Sequence, residues 1–170
     1  FLSRNGFALA HEELILACPP LDEIPLPPER PHLSLHTYPL HQAIPLFCRL
    51  YDGSFAGHAW FQPYTPDEVA GDLISARDIL FLVAEKRPFG FAWLHLDENG
   101  AGRVEPIGIL PAGQGQGNGR FLLLSALHEL KQRGAHTITI GTWASNSTSL
   151  NLYHSLGFSR QQTIAYYAYQ

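Results

Sequence analysis

The chain has 170 residues, 45% of them hydrophobic and 15% charged, with a formal net charge of -4. That length suits one domain with a substantial core. The mildly negative balance gives none of the long-range attraction to polyanions on which nucleic-acid binding depends, so no nucleic-acid partner is expected. Cys18 and Cys48 make neither a metal-ligand spacing nor a disulfide framework. No metal is expected, and free thiols that simply pack point to a reducing, cytoplasmic setting. Apolar runs such as Ile79–Ala84 fall far short of the ~20 residues of a membrane span. No sustained apolar core follows Arg4 and Asn5, so neither a membrane nor a secretory leader is expected. The sequence starts at Phe1 and contains no Met, which suits a processed or trimmed chain.

In chain order, Leu14, Ile15 and Leu16 within Phe7–Ala17 suggest a short strand. Residues 18–31 hold six prolines, a composition that excludes helix and central strand and reads as a stiff linker. Leu33 and Leu35 alternate with polar neighbours over residues 32–37, the pattern of a strand. Residues 42–55 read as helical after Pro45. Thr65, Pro66 and Glu68 form a helix start with a capping box, and that helix should end near Ser75. Residues 79–85 and 89–96 are apolar runs split by Lys86, Arg87 and Pro88, which reads as a hairpin. Asp97-Glu98-Asn99-Gly100 marks a second turn before a strand at residues 103–110.

The clearest helix spans residues 119–133. Leu123, Leu127 and Leu130 form one stripe, Arg120, Glu129, Lys131 and Gln132 face away, and Gly134 stops it. A β-branched strand at residues 137–140, a helix at Ser147–Ser155 and a strand at residues 160–169 complete the order. The expected fold class is a mixed α/β sheet, a meander of strands followed by β-loop-α-β-α-β. The segment from Leu2 to Phe7 also echoes that from Tyr153 to Phe158, each followed by strand-like sequence. Either the echo is chance, or residues 1–17 are the tail of a preceding related repeat and residues 18–31 join it to a domain at 32–170.

The strongest chemical signal is the run from Ile107 to Gly119, which leads straight into the amphipathic helix. Gly113, Gly115, Gly117 and Gly119 alternate with polar residues where a strand gives way to a helix. Glycines allow positive φ and remove Cβ atoms, so successive N–H groups can converge on one point at the positive end of the helix. That is a diphosphate cradle needing no lysine. A Walker A loop is excluded, because no lysine follows until Lys131. The dinucleotide pattern also fails: counted from Gly113, Gly115 or Gly117, its last glycine falls on Asn118, Arg120 or Leu122.

Gln114-x-x-Gly117-x-Gly119 resembles the Q/R-x-x-G-x-G/A acyl-CoA motif of the GNAT family of N-acetyltransferases. Further along, Asn146-x-x-Ser149-x-x-Leu152-Tyr153-x-x-x-Gly157-Phe158 is similar to that family's N-x-x-A-x-x-L-Y-x-x-x-G-F segment, with Ser149 in place of the usual alanine. The resemblance covers the chain from about Leu33 onward. Glu105-Pro106-Ile107-Gly108-Ile109 and the repeat hint resemble two-domain members such as mycothiol synthase.

The resemblance implies a GNAT fold, in which the fourth and fifth strands splay to admit acetyl-CoA. It implies diphosphate binding by the backbone N–H groups of Gln114, Gly115, Gln116, Gly117, Asn118, Gly119 and Arg120. It also implies pairing of the pantetheine arm with the backbone of Ile107 and Ile109, the N–H of Ile109 facing the thioester carbonyl. Pro106, Gly108 and Gly141 support a local loss of pairing, though a mere bulge would explain them too.

Tyr153 falls where the family places the acid for the departing sulfur; the alternative is a tyrosine packed in the core. Asn146 caps its helix, bonds the pantetheine arm, or both. Glu105 is the candidate base for the acceptor amine, unless it faces solvent or a structural partner. His58 and Trp60, in a loop bordering the family's acceptor pocket, and Trp143 are candidate substrate contacts, with His95 and His154 behind them. Two functions fit: acetyl transfer to a small-molecule or peptide amine, or a non-catalytic acyl-CoA-binding half of a two-domain protein. A preceding related domain or a homodimer partner fits either.

Overall fold

The computed structural model describes residues 5–169. Seven strands, β1 (Phe7–Ala17), β2 (Leu33–His36), β3 (Ile79–Ala84), β4 (Arg87–Leu96), β5 (Ala101–Ile109), β6 (Thr137–Trp143) and β7 (Ser159–Tyr169), form one sheet. The order is β2-β3-β4-β5-β6-β1-β7. Every neighbouring pair is antiparallel except β5 and β6. The mixed, mostly antiparallel sheet expected from the sequence is therefore present.

Four helices cover it: α1 (Leu40–Phe55), α2 (Pro66–Asp72), α3 (Asn118–Gln132) and α4 (Ser147–Ser155). The strands alternate between two cores, as a pleated sheet must. Leu80, Leu82, Ala92 and Leu94 join Leu122, Leu123, Leu127 and Leu130 of α3 on one face. Phe81, Val83, Phe91 and Trp93 join Phe47, Leu50 and Tyr51 of α1 and Val69 of α2 on the other. Each such side chain contributes roughly 1.5–3 kcal/mol by leaving water.

Several boundaries differ from the sequence reading for local reasons. Helix α1 begins at Leu40 and runs through Pro45, which faces solvent, where water can bond the carbonyl that a proline leaves unpaired. The buried stripe Ala43, Phe47, Leu50 and Tyr51 holds the helix across it. The capping box of Thr65 and Glu68 is formed, but α2 ends at Asp72, where Leu73 turns extended and buries its side chain. The β3–β4 turn is the pair Glu85-Lys86, with φ 49 and 65, so Arg87 and Pro88 belong to the strand. Pro88 is accommodated opposite a register shift between Leu82 and Val83.

The largest difference is β1. The full stretch Phe7–Ala17 is strand, paired to β6 on one side and along its whole length to β7 on the other. Residues Leu2, Ser3 and Arg4 of the internal echo lie outside the described residues. The proline-rich segment after β1 packs along α3. Ile24 is buried, Lys131 Nζ donates to the Leu21 carbonyl (3.0 Å), and the His128 ring bonds the Pro25 carbonyl (3.1 Å). It ends at Arg30, whose guanidinium donates to the Gln116 carbonyl (3.1 Å).

Leu16 of β1 is wholly inaccessible in the α3-side core. Leu16→Ala should therefore lower the unfolding free energy by about 2–5 kcal/mol in a urea titration. A loss below about 0.5 kcal/mol would mean that β1 is not integral to this core.

Candidate active site

The site is made by a ladder that stops. β5 and β6 pair in parallel from Ala101↔Thr137 to Val104↔Ile140 and no further. Beyond that point β5 stays with β4, through Ala92↔Ile107, Phe91↔Gly108 and Gly90↔Ile109. Pro106 has no N–H to offer a second neighbour. At Gly108 the strand also packs closely: a Cβ there would stand 2.9 Å from the Phe91 ring. The Leu110 N–H donates to the Phe89 carbonyl (2.8 Å), toward β4. By strand alternation, the backbone groups of Ile109 and Ile107 point the opposite way, into the gap beside β6. A cavity of about 590 Å³ opens there, between Glu105, Pro106 and Ile107 on one side and Gly141, Thr142 and Trp143 on the other.

At one end of the gap lies the glycine-rich turn. Gly115 and Gly117 have φ 73 and 77, a region that favours glycine. The polar side chains of the turn fold back on its own carbonyls. Gln114 Nε2 donates to Ile109 O (2.8 Å), Gln116 Nε2 to Ala112 O (3.1 Å), and the buried Asn118 Nδ2 to Gly113 O (2.9 Å). These bonds satisfy the carbonyls and leave the amides facing out. The Gln114 N–H, expected in the cradle, instead donates to the Pro111 carbonyl (3.2 Å); among the described residues the N–H groups of 115–120 have no acceptor within the protein, and Phe121 is the next whose N–H bonds the turn, to Gly117 O. Two guanidinium groups flank them. Arg120 donates to Ser155 Oγ (3.1 Å), and Arg30 lies so close that a Cβ on Gly117 would be 2.6 Å from its Nη2. The turn is thus a row of outward main-chain amides at the N-terminus of a fifteen-residue helix.

At the other end the cavity is acidic and aromatic. Glu105 lines it, and burial, followed by the charge of Glu13, pushes its carboxyl above the ordinary carboxylate range. Arg103, 3.9 Å away and half exposed, opposes that shift only in part. Tyr153, on α4, lines the same cavity yet is only 4% exposed. Burial raises its phenol to about 12, against a lowering hydrogen bond with Ser149. Trp60 and Trp143 meet at 5.7 Å, and Trp143 is edge-on to His11 at 5.5 Å. Tyr51, Tyr64 and Tyr166 add further rings to the wall.

The structure brings Glu105, Ile107, Trp60, Trp143, Asn146 and Tyr153 to one cavity. His58 is set back from that wall and stacks on Trp60, with ring centroids 4.8 Å apart. His95 spends its Nε2 on the Glu105 carbonyl (2.9 Å) and lies against Trp93. Asn146 caps α4 through the Ser149 N–H (3.1 Å) while bordering the cavity. Sequence reasoning missed Glu13, Tyr166 and Arg30. The first two sit on strands that meet only through β1–β7 pairing, and Arg30 sits in a segment that composition marks as a linker. The alternation of Glu13 with Leu14 and Leu16 was the one legible signal for the first.

The description "Acetyltransferase (GNAT) family" matches residues 11–158, and the chain belongs to that family. Mycothiol acetyltransferase of Nocardia farcinica is 39% identical over 113 residues, covering 65% of this chain and 34% of that one. Mycothiol acetyltransferase of Rhodococcus jostii is 32% identical over 178 aligned positions, covering 97% and 58%. The chain thus spans between a third and three-fifths of the length of these curated relatives. Among solved structures, a GCN5-related N-acetyltransferase from Sphaerobacter thermophilus superposes with a TM-score of 0.80 at 16% identity, over 98% of this chain and 53% of that one. One from Kribbella flavida does so at 0.69 and 15%, over 98% and 61%. These two support the fold. Among the described residues, no helix is long and apolar enough to cross a membrane.

Proposed function

We propose that the domain transfers the acetyl group of acetyl-CoA to a primary amine by direct attack within a ternary complex. One observation carries this reading: the β5–β6 ladder stops beside a cavity lined by a half-buried carboxylate and a buried phenol, and the same strand runs on to a row of unpaired main-chain amides. The amides of residues 115–120 suit a diphosphate, and Arg30 adds a positive charge from outside the turn to that of Arg120 within it. The backbone of Ile107 and Ile109 suits the amides of an extended pantetheine arm. A thioester carbonyl reached from there meets the N–H of Ile109, a donor of a kind worth about 3 kcal/mol of barrier.

Glu105 takes a proton from the acceptor nitrogen, the C–N bond forms, and the C–S bond breaks. The thiolate leaves beside Tyr153. A phenol near 12 is a poor match for outright proton transfer to a thiolate of ordinary pKa about 8.5, so Tyr153 steadies the sulfur mainly by donating a hydrogen bond. The acidic, aromatic wall suits an acceptor that is cationic at the reacting nitrogen and apolar beside it. The name of the curated relatives, mycothiol acetyltransferase, supports the acetyl donor.

The reading extends to organisation and setting. β1 begins at Phe7 of Gly6-Phe7 and β7 directly after Gly157-Phe158, the matched junctions of the internal echo, and the two strands pair antiparallel along their length, as equivalent strands of two related repeats would. Among the described residues no strand covers the outer edge of β7, which suits pairing with a strand of a preceding related domain or of a second copy. The free thiols of Cys18, pushed up to about 12 by burial, and Cys48, also raised by burial, are inert and suit the cytoplasm.

The test is thiol release from acetyl-CoA against a panel of alkyl, aralkyl and peptide amines, with binding of CoA measured by calorimetry. Gly117→Asp places a carboxylate against Arg30 and the amide row and should abolish CoA binding; retained binding would remove the cradle from this turn. Tyr153→Phe should lower turnover about tenfold or more with CoA affinity within about twofold, whereas a collapse of affinity would make the residue structural. Glu105→Gln should cost about a hundredfold or more in kcat/KM. The same change should leave the melting temperature at pH 7 unchanged or higher, because it removes a half-buried charge that desolvation and Glu13 both disfavour. Binding of CoA with no amine turned over would favour the non-catalytic half-domain.

A further inference from the structure

β1 brings a second carboxylate to Glu105, and a glycine makes room for both. A Cβ on Gly141 would stand 2.8 Å from Glu105 Oε2 and 2.9 Å from Glu13 Oε1, so the two carboxyls converge over the same point of β6. The Tyr166 hydroxyl donates to Glu13 Oε2 (2.8 Å), which fixes one oxygen of Glu13 and leaves Oε1 turned toward Gly141 and Glu105. Three strands therefore assemble the pair: β5 carries Glu105, β1 carries Glu13, and β7 carries the tyrosine that holds it.

The other charged or titratable groups around Glu105 do not neutralise the pair. Arg103, on the same strand, sits at 3.9 Å with its side chain 54% exposed. Tyr153 of α4, Tyr51 of α1, Tyr64 in the following loop, and Tyr166 face the cavity as phenols. Glu68 of α2 lines it as a further acid, and His11 of β1 stands beside Trp143. His95 of β4 bonds the Glu105 backbone carbonyl, not its carboxyl.

We propose that Glu13 is a positioning residue of the acceptor site: held by Tyr166, it presses its charge on Glu105, so that the proton lost by an alkylammonium acceptor is held between the two carboxyls. The balance is simple. One N–H bond of the ammonium breaks, one O–H bond forms on Glu105, and the facing oxygen of Glu13 accepts a hydrogen bond from it. The neutral amine is then free to attack, and the dianionic pair favours acceptors that arrive as cations. The inference rests on reading the cavity as the acceptor site.

The direction of the effect follows from the environment of Glu105, whose carboxyl is raised by burial first and by Glu13 next. A base with a raised pKa is ionised above that value and lost as pH falls through it. Removing the Glu13 charge lowers the value, so the acidic limb of activity must move to lower pH.

Carbon-13 NMR titration of glutamate-labelled protein, with the Glu105 signal assigned by its loss in Glu105→Gln, reads the pair without any acceptor. Glu13→Gln should lower the Glu105 midpoint by about one pH unit or more. For whichever panel amine is turned over, the acidic limb of kcat/KM should shift the same way. Gly141→Ala, which wedges a methyl between the carboxyls and leaves Glu13 in place, should also lower the midpoint and stands in if Glu13→Gln fails to fold. An unmoved midpoint in the folded variants overturns the proposal, even with acetyl transfer intact. A lowered midpoint with no amine turned over keeps the pair and instead removes the catalytic reading of the domain.

Discussion

The end of the parallel ladder at Val104 and Ile140 is the constraint on which the rest of the molecule depends. A central strand ordinarily has its N–H and C=O groups satisfied on both sides, and leaving one side open costs free energy unless something else fills it. Here β5 keeps its β4 partner up to Ile109 while β6 turns to β1, through Ile15↔Gly141 and Glu13↔Trp143. The sheet stays continuous around a gap in its middle. What faces that gap is the main chain and Glu105 of β5 and side chains from six other elements, an arrangement suited to an extended, amide-bearing molecule lying where a strand would lie.

The two ends of the gap are opposite in charge. Unpaired amides, a helix N-terminus and two arginines make one end positive. Glu105, Glu13 and a belt of tyrosines and tryptophans make the other negative and partly dry. A field of this kind would orient a molecule that is anionic at one end before any specific contact formed. The side-chain amides of Gln114, Gln116 and Asn118 serve the positive end indirectly. By consuming the carbonyls of the turn, they keep its N–H groups outward.

Segments that look peripheral in sequence are central in space. β1 supplies Leu16 to the core and Glu13 to the cavity, and the proline-rich stretch lies along α3 until Arg30 reaches the glycine turn. Proline stiffness helps here, because a chain already extended loses little entropy when it docks.

The glycine-rich turn, the helix that follows it and the segment from Asn146 to Phe158 were legible in the sequence because their geometry is local: φ signs, caps and periodicity act within a few residues. The outward amides of the turn and the cap at Asn146 were readable for the same reason. Tertiary structure alone decided the pairing of β1 with β6 and β7, which depends on contacts between residues more than a hundred positions apart. It likewise decided that Glu13 would meet Glu105 over a glycine, that His58 would stand behind Trp60, and that a run of prolines would carry an arginine to the glycine-rich turn. Long-range registry leaves no periodic trace in either strand, so only the folded sheet could bring those residues together.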